Sequence, residues 1–311
     1  MSVLSELGSL RKSKSLDRGP SQRHDGKWAL FFLAPWFVGL VLIVAGPLLA
    51  SLYLSLTDYD LLSNANFIGL ENYVEMFGDR RLRKSLVVTF TYVIVSVPLQ
   101  LMAALGLALL LDRGLRGLAI YRSAFYLPSL LGSSVAIAIL WRQIFGADGL
   151  VNQLLAVIGI DGPGWISHPD YALGTLMVLN VWTFGSPMVI FLAGLRQIPT
   201  MYYEAASLDG ASKLQQFFTI TLPLLSPIIF FNLVLQVINA FQTFTQSYIV
   251  SNGTGGPVDS TLFYTLYLYQ EGFGNLNMGY ASAMAWLLLV IIAGMTAANF
   301  LLSKYWVFYN D

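Results

Sequence analysis

Six long apolar stretches divide this chain, at about 28–56, 85–111, 118–144, 173–195, 222–250 and 281–302. Each reaches the roughly 20 residues that a helix needs to cross ~30 Å of hydrocarbon. The pattern predicts an all-α polytopic membrane protein with about six transmembrane helices. Pro35, Pro47, Pro98, Pro128, Pro187 and Pro227 lie in or near these stretches. A membrane helix accommodates proline where neighbours or water satisfy the freed carbonyl, so they mark either kinks around a pathway or ordinary packing.

One polar stretch, residues 198–223, lies between the fourth and fifth apolar runs. Pro199 and Thr200 give a helix start, and Glu204 falls in the first turns, where negative charge suits the dipole. Asp209-Gly210 breaks that helix after Leu208. A second helical pattern runs from Ala211 towards Thr221, with Leu214, Phe217 and Phe218 on one side, and Pro223 limits it. Two short helices meeting at a glycine turn beside a membrane make a compact knob for another protein to grip.

The remaining polar segments are of three kinds. Residues 1–27 carry Arg11, Lys12, Lys14, Arg18, Arg23 and Lys27 among serines and glycines, and read as a solvated basic tail. Gly69 and the apolar spacing through Tyr73, Met76 and Phe77 suggest a short amphipathic helix resting on the interface. Residues 251–257, Ser-Asn-Gly-Thr-Gly-Gly-Pro, make a turn-rich loop.

Charge fixes the expected orientation. With the N-terminus inside, the tail, Arg113, Arg116, Arg122, Arg196, Lys213 and Lys304 put twelve basic residues on the cytoplasmic side, against four outside at Arg80, Arg81, Arg83 and Lys84. Both termini are therefore expected in the cytoplasm. Composition agrees with a membrane location: 56% of residues are hydrophobic and 11% charged, where soluble domains average about 25% charged. A net charge of zero gives nothing to attract nucleic acid, and zero cysteines exclude disulfides and thiolate chemistry.

Several chemistries lack their parts. No acidic residue lies in the middle of any apolar stretch, where proton or sodium coupling usually places one. No G-x-x-x-x-G-K-[ST] occurs, so ATP hydrolysis is not expected of this chain, and no cofactor is expected in it. His24 and His168 are the two histidines, neither in an H-E-x-x-H motif, and no metal site is expected.

The fifth stretch carries a row of polar residues: Asn232, Gln236, Asn239, Gln242, Thr243, Gln246 and Ser247. Spacings of three and four put Asn232, Gln236, Asn239, Thr243 and Gln246 near one helical stripe. Such a stripe is either helix–helix glue or the wall of a hydrated path whose amides and hydroxyls bind sugar hydroxyls. Phe241, Phe244 and Tyr248 offer flat faces for carbohydrate to stack on, and Asn180 beside Trp182 in the fourth stretch suits the same cavity. Ser282 in the sixth is a similar candidate.

Glu204-Ala205-Ala206, then Asp209-Gly210-Ala211, then Phe217 and Leu222-Pro223, resemble the coupling loop of binding-protein-dependent ABC importer permeases. Phe67-Ile-Gly-Leu-Glu-Asn-Tyr73 and the Gly255-Gly256-Pro257 loop resemble the carbohydrate branch, of maltose and glycerol-phosphate type. The resemblance runs from about Leu30 to the C-terminus and implies a type I importer permease domain over 28–311 in a bacterial inner membrane. It implies that Glu204, Ala205, Ala206, Asp209, Gly210 and Ala211 dock into a separate ATPase, and that the fifth helix helps form the sugar site near Gln242 and Thr243, with Asn239, Gln246 and Asn180 beside them. It also implies four kinds of partner: a second homologous permease, two cytoplasmic ATP-binding subunits that use the ATP, an extracytoplasmic solute-binding protein, and membrane lipid. A self-powered secondary transporter or channel is the alternative, and a membrane-embedded enzyme would need a catalytic set that the histidine and acid inventory does not offer.

Overall fold

A computed structural model describes residues 22–112 and 117–308. Most of the predicted basic tail therefore lies outside the described residues, though its last part, from Gln22, is already helical. The chain divides into two compact units, residues 1–53 and 54–311. The described part of the first is helix throughout: α1 (Gln22–Gly39), a π-helical segment (Leu40–Ala45) and α2 (Gly46–Leu54).

The second unit holds α3 (Glu71–Gly78), α4 (Arg80–Asp112), α5 (Leu118–Leu131), α6 (Val135–Ile144), α7 (Leu150–Val157), α8 (Pro169–Trp182) and α9 (Gly185–Leu195). These are followed by α10 (Thr200–Leu208), α11 (Lys213–Gln216), α12 (Leu222–Phe241), α13 (Thr245–Val250), α14 (Tyr264–Tyr269) and α15 (Met278–Ser303). No strand forms among the described residues; one isolated bridge pairs Thr57 with Phe67. Four helical runs, Phe31–Leu54, Arg80–Asp112, Lys213–Phe241 and Met278–Ser303, are long and apolar enough to cross a membrane, and two bent pairs bring the number to six.

The core is built on α4. Its buried residues Val88, Tyr92, Ser96, Gln100, Ala104, Ala108 and Leu111 recur every three or four positions, one face of a helix. That face packs against α8, α9, α12 and α14. Ser96, Ala104 and Ala108 are small, which lets neighbouring backbones approach closely where dispersion rather than water drives helix association. The predicted interfacial helix forms as α3, after Gly69 at φ +67°, with Met76 buried and Val74 and Phe77 exposed. The glycine-rich loop turns through positive φ at Asn252, Gly253, Gly255 and Gly256.

Three expected spans are not single helices. The third is broken between α5 and α6 and turns through 96°; the fourth bends by 41° between α8 and α9. The fifth helix stops at Phe241, and α13 resumes only at Thr245. In the third span Pro128 lacks a donor, and Ser134 caps α6 by accepting from the Ile137 N–H at 3.3 Å. In the fourth, Pro187 has no N–H to offer the carbonyl four residues back, that of Thr183.

Pro223 does not limit the second coupling helix, contrary to its position in the sequence. α11 and α12 join through a π-helical turn, Phe217–Thr221, so one helix runs from Lys213 to Phe241. Leu222 donates to the Phe217 carbonyl across five positions, and the widened turn accommodates the pyrrolidine ring. The same arrangement precedes Pro47, where Gly46 donates to the Val41 carbonyl.

Candidate functional site

The three breaks meet. Thr183's carbonyl, freed by Pro187, accepts from the Gln100 amide at 3.2 Å and the Ser129 hydroxyl at 2.9 Å. Gly132's carbonyl, freed by the turn between α5 and α6, accepts from the Gln246 amide at 3.1 Å. Thr243's carbonyl, in the gap between α12 and α13, accepts from the Thr265 hydroxyl at 2.5 Å. Broken backbone inside a membrane protein is tolerated where side chains satisfy it or where it lines a cavity. Here both conditions hold. A polar cleft of 430 Å³ opens at the junction.

Gln236, Asn239, Gln242, Thr243 and Gln246 all line this cleft, together with Asn180 from α8. Their grouping does not come from one straight stripe, because the helix has ended before Gln242; the break turns Gln242, Thr243 and Gln246 to the same space. Asn239 and Gln242 are exposed to the cleft, and among the described residues nothing hydrogen-bonds their side chains. Asn180 is held instead, donating to Ser96 Oγ at 3.2 Å and Gln100 Oε1 at 3.3 Å. Thr243 Oγ1 donates to the Asn239 carbonyl at 3.3 Å.

Other members of the row lie elsewhere. Asn232 is fully buried, with neither amide atom partnered among the described residues, and it does not reach the cleft. Ser247 is buried and donates to the Thr261 carbonyl at 2.5 Å. Of the three aromatic candidates, Phe244 lines the cleft. Phe241 is buried against Phe90, with ring centroids 5.1 Å apart, and Tyr248 packs on Phe244 and Tyr269. Ser282 is half-buried and absent from the lining.

Pro187 also lines the wall, as do Gln100, Ser129, Gly132, Ser133, Thr183, Ser186 and Thr245, which were not singled out from the sequence. Gln100 had a signal: an amide in the middle of an apolar run. Gly132 is needed for space, since a Cβ there would stand 2.1 Å from Thr183 Cγ2. Among the described residues no group of three or more histidine or acidic side chains is placed to hold a metal.

The 198–223 knob forms as two helices. α10 ends at Leu208, and Gly210 turns at φ +79°, with the Ala211 N–H returning to the Ala206 carbonyl at 2.9 Å. α11 opens with a reciprocal cap, Ser212 Oγ accepting from the Gln215 N–H and Gln215 Oε1 from the Ser212 N–H. Gln216, only 3% exposed, clamps the two helices by donating to Ser207 Oγ at 2.9 Å and the Ala211 carbonyl at 3.2 Å. Glu204, Ala205, Asp209 and Gly210 are exposed and Ala206 and Ala211 half-exposed, with Leu208 91% and Leu214 68% exposed beside them. So much free apolar surface on a small rigid knob is the character of an interface.

Comparison with known proteins places this architecture. A family model described as "Binding-protein-dependent transport system inner membrane component" matches residues 73–305. The chain is 52% identical over 304 residues to the probable ABC transporter permease YesP of Bacillus subtilis (strain 168), covering 97% of this chain and 96% of that protein. It is 33% identical over 275 residues to the lactose transport system permease LacF of Rhizobium radiobacter, covering 86% and 91%. It is 35% identical over 273 residues to the sulfoquinovosyl glycerol transport system permease SmoG of Agrobacterium fabrum, covering 86% and 88%. In fold it matches a chain of the bacterial alginate ABC transporter crystallised with alginate pentasaccharide-bound periplasmic protein, with a TM-score of 0.77 at 20% identity over 91% of this chain and 96% of that one. The chain belongs to the family of inner membrane components of binding-protein-dependent transport systems, and is the multi-pass permease component of an ABC importer.

Proposed function

We propose that this permease forms half of the translocation path for a sugar or sugar-like solute. The observation that carries this reading is the polar cleft at the meeting point of three broken helices. Among the described residues, Asn239 and Gln242 offer amides with no hydrogen-bond partner there, Phe244 offers a flat apolar face, and no acidic side chain lines the cleft. Neutral amides and hydroxyls around an aromatic face suit a polyhydroxylated solute. The similarity to lactose and sulfoquinovosyl glycerol transport permeases supports the same class.

The knob of α10 and α11 is the coupling element in this reading. Glu204, Ala205, Ala206, Asp209, Gly210 and Ala211 seat in a cleft of a separate cytoplasmic ATPase, which supplies all hydrolysis. A second homologous permease closes the path, a pair of ATP-binding subunits drives it, and an extracytoplasmic binding protein delivers solute. Both termini and the knob face the cytoplasm, in accord with the lysine and arginine count.

The test is co-purification from native membranes followed by reconstitution. The expected outcome is ATP-dependent sugar uptake by the co-purifying set of subunits and none by this chain alone. Uptake by the chain alone would establish a self-powered carrier instead. Because the chain has no native cysteine, single cysteines at Ser212 and Thr254 test orientation. An impermeant thiol reagent applied to intact cells is expected to reach position 254 and not 212.

A further inference from the structure

Asn232 on α12 is fully buried, and neither its amide nitrogen nor its oxygen has a hydrogen-bond partner among the described residues. The large majority of buried side-chain polar atoms in proteins are hydrogen-bonded, and hydrocarbon offers no water as a substitute. Asn180 shows the ordinary arrangement, donating to Ser96 Oγ and Gln100 Oε1 and so joining α8 to α4. Asn232 joins nothing, so helix–helix glue does not account for it.

Its place on the helix does. Asn232, Gln236 and Asn239 stand at i, i+4 and i+7, one stripe of α12. Burial deepens along that stripe: Asn239 is exposed, Gln236 half-buried and Asn232 closed over. Asn239 and Gln236 line the polar cleft. Asn232 follows one turn, about 6 Å, nearer the knob. Beyond it the same stripe turns apolar, through Ile228 and Leu225. There α9 closes tightly on α12, since a Cβ on Gly194 would stand 2.1 Å from Ile228 Cδ1 and 2.9 Å from Leu225 Cδ1. The last polar residue of the stripe thus lies between the cleft and an apolar seal of two helices.

We propose that Asn232 is the next rung of the solute path, shut in this conformation and uncovered when α9 and α12 part at Gly194. Its amide then bonds water and the hydroxyls of the passing solute. This rests on the sugar-path reading and carries the path one turn further towards the knob. The unmade hydrogen bonds weigh against the shut arrangement by a factor on the order of ten, a bias towards opening that an all-apolar seal lacks.

The test uses the complete transporter in proteoliposomes, with Asn232→Cys or Gln236→Cys as the single cysteine of this chain. Labelling of the chain by trimethylammonioethyl methanethiosulfonate is timed without nucleotide and with ATP trapped by vanadate. Position 236 is expected to react, and position 232 to react at least about tenfold faster in one nucleotide state than in the other. Asn232→Leu keeps the heavy-atom skeleton and has no bonds to satisfy. It is expected to raise the thermal midpoint in the state that shields position 232, and to slow uptake by up to about tenfold as the bias towards opening is lost. Labelling at 236 with none at 232 in either state, or equal labelling at 232 in both, overturns the proposal and leaves the path reading standing. If neither position reacts in either state, the cleft is not an aqueous path, and both readings fall. Should Asn232→Cys fail to assemble, Asn232→Leu decides alone: a raised midpoint with uptake at its natural rate shows that the amide takes no part in the cycle, and overturns the proposal.

Discussion

The side-chain amide of Gln246 donates to the backbone carbonyl of Gly132 at 3.1 Å, across 114 positions of sequence. It ties the break in the fifth span to the break in the third, and both flank the cleft. Gln246→Ala leaves that carbonyl without its donor. An unsatisfied buried acceptor costs about 1–3 kcal/mol, while membrane hydrogen bonds average ~0.6 kcal/mol, so a loss of about 1 kcal/mol is expected. It is read as a lower thermal midpoint of the solubilised complex together with reduced uptake. An unchanged midpoint would show that the carbonyl finds another partner.

Gly132 itself is a space constraint. Gly132→Ala places a methyl 2.1 Å from Thr183 Cγ2, and overpacking of this kind costs about 1–3 kcal/mol. Thr183→Ser removes the offending methyl and keeps the hydroxyl that donates to the Asn180 carbonyl at 2.7 Å. Gly132→Ala is therefore expected to lower complex yield, and the double variant to recover most of it. Failure of the second change to rescue the first would place the strain elsewhere, at the Pro128 carbonyl 3.0 Å away.

These contacts show where the sequence was legible. Six apolar stretches announce six spans because apolar length is set by bilayer thickness. The knob was legible because Pro199-Thr200 and Asp209-Gly210 are local signals, while the Ser212/Gln215 cap that opens α11 emerged only in the structure. The break at Gln242–Phe244 was not, because those residues include neither glycine nor proline; it exists through tertiary bonds such as Thr265 to the Thr243 carbonyl. Asn232 shows the converse. Its spacing put it on the polar stripe, yet neighbouring helices bury it completely. Pro223 misled because a π turn is invisible to residue type, arising where the helix shifts register.

Asp79 gives a pH prediction outside the spans. Burial pushes its carboxyl up, but hydrogen bonds from Tyr267, the Leu82 N–H, Tyr280 and the Arg81 N–H together hold it below the usual range. Tyr267 Oη donates at 2.6 Å and Tyr280 Oη at 2.7 Å, tying α14 and α15 to the start of α4. A depressed folded pKa contributes stability above the unfolded value of about 3.9 and loses it as pH falls through the folded one. Thermal midpoints are therefore expected to fall more steeply below about pH 4 in the natural chain than in Asp79→Asn. Parallel curves would show that the junction does not depend on the charge.

In the knob, Gly210 and Gln216 separate strain from clamping. A Cβ at Gly210 meets nothing within 4 Å, so Gly210→Ala costs only the positive-φ penalty, about 1 kcal/mol. Gln216→Leu removes the amide that ties α11 to Ser207 of α10 and to the Ala211 carbonyl in the turn between them. Solute-stimulated ATP hydrolysis is expected to fall modestly in the first, and steeply in the second and in Gly210→Pro, with solute binding outside unaffected. Normal stimulation in Gln216→Leu would show that the two helices need not move as one body.

Gln242 allows the sugar path to be tested without confounding by stability. Its side chain is exposed to the cleft and makes no hydrogen bond among the described residues, and only its backbone N–H is engaged, with the Ile238 and Asn239 carbonyls. Gln242→Ala therefore removes nothing that holds the fold. If the amide contacts passing solute, one neutral hydrogen bond worth about 0.5–1.5 kcal/mol is lost, so uptake falls two- to tenfold or the solute range shifts. Assembly, thermal midpoint and basal ATP hydrolysis are expected to stay at their natural values. Thr243→Ala serves as a contrast, because Thr243 Oγ1 already donates to the Asn239 carbonyl at 3.3 Å, so its loss removes a contact within the fold as well. Competition by different saccharides in both variants is the measurement. Unaltered uptake and preference in Gln242→Ala, at normal assembly, would remove that amide from the path and leave Asn239 and Gln236, whose side chains also line the cleft with no hydrogen bond among the described residues, as the candidates on α12.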